Sequence, residues 1–308
     1  MAGTLELLKS ASLKLNYDRL STGTSFEARL YRNSRNFAAT YELDLQLWIK
    51  FVQINPSDGM WVLDADKNPF FIRPWKAQDW TNFIDAAGRQ ADIWNNKFWL
   101  KPPNSVTELD IFDMNNGLWM RPYIKCTLTT YFGEVPGSFR RSSPHRIVEV
   151  ANVDPSKYLN PGSFRSHALL YSENDATPKV FTVPDNLKVN HTFTQPTMTH
   201  EIGHALGLQH IGVQRKTAFC KVAELNDEAG NPLRNTPFSG GWNAAYCYGY
   251  SENADMADDI MGYGQKFSAD DAKPWSWSAL SMFGPGFWTT MTAYPGDSFS
   301  AVERNRIR

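Results

Sequence analysis

The 308 residues carry 31 Lys and Arg against 32 Asp and Glu, a formal net charge of −1. That balance gives no electrostatic basis for binding nucleic acid or an anionic membrane surface. Hydrophobic residues make up 42% and aromatics 14%, enough for a sizeable core in one large domain or two small ones. No apolar run approaches the length of a transmembrane helix, and no internal repeat or low-complexity tract is visible.

Residues 1–38 are polar with scattered charge and read as an N-terminal extension of undecided role: an added segment, a pro-segment or early strands. The opening Met1-Ala2-Gly3-Thr4-Leu5-Glu6-Leu7-Leu8-Lys9 lacks the basic n-region and long apolar core of a Sec-type signal. From there the pattern sharpens. Tyr41, Leu43, Leu45, Leu47, Ile49 and Phe51 alternate along the chain and predict a long strand. Asp64-Ala65-Asp66-Lys67-Asn68 starts like a calcium loop, but Pro69 stands where such a loop needs glycine and no glutamate closes it, so it reads as a turn. Trp80, Phe83, Ile84, Ala87, Ala91, Trp94 and Phe98 recur at helical spacing, and Pro102-Pro103 ends the element. Its aromatic stripe reads as core packing rather than a carbohydrate platform. Strands are predicted near residues 119–132, 146–150, 167–171 and 180–183, after which Gln195-Pro196 leads into a further helix.

That helix carries His200-Glu201-Ile202-Gly203-His204-Ala205-Leu206-Gly207-Leu208-Gln209-His210. Two histidines four apart share one helix face. Gly207, free to take a left-handed conformation, ends the helix and turns His210 back toward them. Three neutral imidazoles leave a fourth tetrahedral position open, as a catalytic zinc requires. Glu201 directly follows the first ligand, where its carboxylate can take a proton from a water on the metal. By composition, the five fixed positions recur by chance in roughly one of 10^5 chains of this length. Downstream, Asp259-Ile260-Met261-Gly262-Tyr263-Gly264 reads as a tight turn.

The long histidine motif followed by Met-x-Tyr resembles the metzincin clan of zinc metallopeptidases, nearest its astacin-like and serralysin-like members. The resemblance implies that Met261 forms an apolar floor under the histidines. It also implies that the Tyr263 phenol approaches the zinc and then stabilises the oxyanion of the reaction. The fold so implied is α+β: a twisted mixed five-stranded sheet with two long helices above the cleft, and an irregular lower subdomain ending in a helix. Boundaries follow at 1–38, 39–210 for the upper subdomain with the zinc helix, and 211–308 for the lower one. By the same analogy His167, Ala168 and Leu169 belong to a strand at the cleft edge, where an extended substrate pairs by β-augmentation. The resemblance further implies that Gln265, Lys266 and Phe267 line the pocket for the residue after the scissile bond. The insert between His210 and Met261, with Gly240-Gly241-Trp242-Asn243 and Tyr246-Cys247-Tyr248-Gly249-Tyr250, either walls that pocket or is a structural loop.

The remaining features are more ordinary. Ser268 and Asp271 are both N-cap candidates for the last helix, with Pro274 favouring the later start. Glu252, Asp255, Asp258 and Asp259 read as a solvated acidic loop rather than a calcium site, with Asp259 a candidate support for the metal site. His145, His167 and His191 lack metal-ligand spacing. Cys220 and Cys247 either staple the insert or remain thiols, and Cys126 reads as a buried thiol. The implied function is a zinc-dependent endopeptidase with one catalytic Zn2+ and a protein or peptide substrate. The competing readings are a silent or latent binding protein on the same scaffold, and a narrow-specificity protease effector or toxin. Without a Sec-type signal the readings are a mature or trimmed chain, a cytoplasmic protein, or export by another route. The clan resemblance favours an extracellular or exported protein, with cytoplasmic storage before export an option.

Overall fold

The structure is a computed structural model. It describes residues 5–15, 24–33, 41–64, 67–113, 117–133, 143–157, 164, 166, 169–184, 189–215, 247–249, 254–292 and 299–301. The chain begins with strands β1 (Leu5–Leu15), β2 (Thr24–Asn33) and β3 (Tyr41–Gln53). A short hairpin of β4 (Met60–Leu63) and β5 (Pro69–Ile72) precedes helix α1 (Ala77–Ala91). Strands β6 (Trp99–Lys101), β7 (Ile111–Asp113) and β8 (Leu118–Pro122) follow. Next come β9 (Ile124–Phe132), β10 (Arg146–Ala151) and β11 (Leu170–Ser172). The hairpin β12 (Pro178–Pro184) and β13 (Asn190–Pro196) runs directly into α2 (Thr197–Ala205), then α3 (Ile211–Gln214). The turn α4 (Ala254–Ala257), helix α5 (Lys273–Phe283) and short strands β14 (Thr289–Met291) and β15 (Phe299–Ala301) complete the described elements.

The molecule is mixed α+β, built on an open eight-stranded sheet with β3 as its hub. Strand β9 lies parallel to β3 over residues 41–49 on one edge. The other edge is shared, with antiparallel β2 beside residues 41–46 and parallel β10 beside residues 49–53. Strand β11 continues parallel beyond β10, while β6 and β14 extend antiparallel beyond β9. The parallel centre explains why β3 is buried on both faces. Leu43, Leu45, Leu47 and Ile49 meet the apolar faces of α1, α2 and α5 in one core cluster. The opposite face carries Asp44 and Gln46, both buried and hydrogen-bonded to each other at 3.1 Å.

Three sequence expectations need correction. The sheet has eight strands rather than five. The surplus includes β1 and β2, drawn from the N-terminal segment, where Phe26, Ala28 and Leu30 alternate inward. The single strand expected over 119–132 is two, because β8 ends at Pro122, which has no N–H for a ladder, and pairs with β7 and β15 in a separate sheet. The second of the two long helices is short: α2 has nine residues against fifteen in α1. The aromatic stripe does enter the core, with Phe83 of α1 against Phe51, and Trp94, in the 3-10 turn over Asp92–Trp94 that follows α1, against Trp275. At the last helix, Ser268 and Asp271 form a capping box over a 3-10 turn, and α5 starts at Lys273 with Pro274 in its first turn. No helix among the described residues is long and apolar enough to cross a membrane.

Candidate metal centre

Helix α2 begins without a side-chain cap of its own. Its first turn is tied down by α1 instead. Gln90 Oε1 accepts from Met198 N at 3.0 Å, and the Gln90 carbonyl accepts from Thr199 Oγ1 at 2.7 Å. Trp94 Nε1, from the 3-10 turn that follows α1, donates to the Thr199 carbonyl at 2.9 Å, so three buried contacts fix the helix immediately before its histidines. The exit follows the glycine logic. Gly207 adopts φ +92°, and Leu208 N returns to the Gly203 carbonyl at 2.9 Å. His210 then precedes α3, and Ile211 N donates to the Met261 carbonyl at 3.0 Å.

The three imidazoles converge. Ring centroids of His204 lie 4.7 Å from both His200 and His210, and His200 lies 5.3 Å from His210. One nitrogen from each ring falls within 4.8 Å of the others. Backbone carbonyls set two of the tautomers: His200 Nδ1 donates to the Ile260 carbonyl and His204 Nδ1 to the Leu208 carbonyl, both at 2.7 Å. Both Nε2 atoms are thereby left as lone-pair donors. Burial drives all three bases below their ordinary range, helped at His200 and His210 by the neighbouring rings. His200 is brought to about 3 and His204 to about 4. All are neutral at pH 7, as ligation requires.

A direct test of fit is the His204 Nε2 to His210 Nε2 separation of 3.2 Å. Two nitrogens each about 2.05 Å from a tetrahedral zinc stand about 3.3 Å apart. The donor set and its spacing therefore suit a metal ion.

The turn over residues 259–264 closes the site from below. Met261 is fully buried, its amide held by Asp259 Oδ1 at 2.8 Å. A methyl added at Gly203 would strike the Met261 sulfur and approach Trp94 Cζ2 to 3.1 Å, so the missing side chain of Gly203 is what admits the methionine beneath α2. Gly262 is equally constrained, because a Cβ there would sit 2.7 Å from the Ala257 carbonyl and 2.8 Å from that of Tyr248. Gln195, at the end of β13, clamps the turn to the helix. Its amide donates to the Gly262 carbonyl at 2.5 Å and lies 3.1 Å from His200 Nδ1.

Glu201 is half-buried beside the first histidine. Burial first, and then the Asp175 carboxylate, push it up to about 8 against the opposing charges of Lys179 and Arg146. The Tyr263 ring stacks on Tyr248 at 4.5 Å and also packs on Phe181 and Phe193. Tyr248 in turn stacks on His210 at 4.0 Å and lies 5.8 Å from His200, at 8° to its plane.

The substrate residues expected from the resemblance are dispersed. His167 and Ala168 lie outside the described residues; Leu169 is exposed, and its carbonyl accepts from Glu149 N at 2.9 Å at the start of the β10–β11 pairing. Strand β11 pairs with β10 alone among the described strands. Gln265 is exposed, as is Lys266, which meets Asp258 at 3.0 Å and Asp255 at 3.5 Å. Phe267 packs edge-on against Trp94 and Phe98, part of the core. Among the acidic candidates, Asp259 is buried and supports the Met261 amide, and Glu252 lies outside the described residues. Asp64 closes a turn in which Asn68 N donates to its Oδ1 at 2.8 Å. His145 Nδ1 accepts from Trp48 N at 2.8 Å, a structural role. Cys126 is a buried free thiol and Cys247 is disulfide-bonded, while Cys220 lies outside the described residues.

Three supporting residues have no signal in motif spacing: Gln90, Gln195 and Tyr248 reach the centre from other elements. Compared with known protein families, with curated proteins and with solved structures, the chain matches none.

Proposed function

We propose that this chain is a zinc-dependent endopeptidase of the metzincin type, with His200, His204 and His210 as ligands and Glu201 as general base. The observation that carries this is the convergence of three neutral imidazoles on one point, with a carboxylate supplied by the residue after the first of them. In this reading α1 and α2, over the parallel strands β9, β3, β10 and β11, form the upper wall of a cleft. The turn carrying Met261 forms its floor.

A zinc ion so held supplies Lewis acidity, polarising a carbonyl and acidifying a water. Glu201 accepts the proton of the attacking water and passes it to the departing amine. Burial raises the proton affinity of the Glu201 carboxylate above the ordinary range, which strengthens it as an acceptor of the water's proton. Tyr263 is the phenol that the metzincin resemblance assigns to the developing oxyanion. It is held in a ring stack with Tyr248. An extended protein or peptide segment pairs with the outer edge of β11, which explains how internal peptide bonds gain access.

The test is digestion of a denatured-proteome peptide library by the zinc-loaded protein, read by mass spectrometry. Wild type should cleave, and a chelator should abolish cleavage. Glu201→Ala should lose turnover by at least about a hundredfold while retaining its zinc. Substantial turnover by Glu201→Ala would exclude Glu201 as the base. A wild-type protein that holds zinc and cuts nothing would instead favour a binding role.

A further inference from the structure

The three ligands are not anchored alike. His200 and His204 each donate Nδ1–H to a backbone carbonyl at 2.7 Å, which fixes ring plane and tautomer together. His210 Nδ1 makes no such hydrogen bond among the described residues; its polar contact is Nε2 toward His204. What lies against the His210 ring instead is the face of Tyr248, with centroids 4.0 Å apart and planes 30° apart. That is the closest of the ring contacts made by the three histidines.

Tyr248 is itself held by close backbone packing. Cys247 on one side is buried and disulfide-bonded. Gly249 on the other side takes φ +87°, where a Cβ would stand 2.8 Å from Ile211 Cγ2 and 2.9 Å from Met256 Cγ. The Tyr248 carbonyl is pressed against Gly262 of the turn beneath the histidines. The segment 247–249 is therefore seated between α3 and that turn, with the Tyr248 ring directed at the ligand that lacks a hydrogen-bonded anchor.

We infer that Tyr248 is a positioning residue of the metal centre, whose ring face sets the plane of the His210 imidazole in place of a hydrogen bond. The proposal rests on His200, His204 and His210 being a metal centre, and it goes further in assigning the third ligand's orientation to a flat aromatic surface. A stacked ring restricts rotation of the imidazole about its side-chain bonds, so Nε2 is presented to the ion before binding. The phenol oxygen is not needed for this; the face is.

Equilibrium zinc affinity of the full chain, measured by chelator competition, tests it together with the visible spectrum of the cobalt-loaded protein. Tyr248→Ala and Tyr248→Leu should both weaken zinc binding by about 10- to 100-fold, and both should alter the cobalt ligand-field bands. Tyr248→Phe should restore affinity to within about threefold of wild type, and restore the spectrum. The leucine variant retains apolar volume, so it reports on the flat face even if the alanine variant folds poorly. Unchanged affinity in Tyr248→Leu would overturn the proposal, as would a Tyr248→Phe protein as weak as Tyr248→Leu. A wild-type chain that binds no zinc would instead remove the metal centre itself, a result distinct from either.

Discussion

Burial decides the protonation of individual side chains here, and it does so in both directions. The imidazoles of His200 and His204, brought to about 3 and about 4, need shed no proton at pH 7 to become ligands. Asp44 shows the cost of the same effect on an acid. It lies 5% exposed in the sheet centre, and burial raises it to about 6 despite hydrogen bonds from Gln46, Thr129 and Thr127. An unfolded aspartate titrates near 3.9, so the folded chain holds an extra proton across about pH 4 to 6. The stability this contributes is complete below about pH 4 and lost as pH rises through 6. Asp44→Asn should therefore raise unfolding free energy by about 1–3 kcal/mol at pH 8 and by little at pH 4. Urea unfolding at the two pH values checks it, and equal effects at both would contradict the assignment. At this scale the motif was legible because one helix turn and one glycine bring its five residues together locally. Tyr248 was not, since only the packing of a distant segment places it beside His210, and Gln195, though only five residues before His200, carries no motif spacing that marks it.

Among the elements, α2 is too short to be stable by itself, and its position comes from what it packs against. Gly203 shows the balance. Alanine in a helix interior is favoured over glycine by about 1 kcal/mol, but here the added methyl enters the space of the Met261 sulfur and the Trp94 ring. Overpacking a filled core costs about 1–3 kcal/mol. Gly203→Ala should thus be net destabilising by about 1 kcal/mol in denaturant unfolding, and a stabilised variant would show that Met261 does not pack where the structure puts it. Periodicity revealed β3 and α1 because each buries a regular stripe. It missed the break at Pro122, where one apolar run serves two sheets, and left the N-terminal hairpin undecided among polar residues.

For the molecule as a whole, the parallel centre of the sheet and its covering helices place α2 above the turn at 259–264, and few local signals could have disclosed that approach. The three imidazoles stand on α2 and on the chain that turns back after it. Gln195 and the Ile260 carbonyl tie both to the floor of the site. A metal bound there would link α2 to the segment that follows it, and binding at a thousandfold excess over its dissociation constant adds about 4 kcal/mol to folding stability. Convergence of His200, His204 and His210 on one ion is thus the claim on which site, function and the role of Tyr248 all depend. The most direct test is a zinc titration of the metal-stripped full chain beside His204→Ala. The expected result is one ion per wild-type chain, with affinity at least about a hundredfold weaker in the variant. Absence of binding, or equal binding by the two proteins, would contradict it.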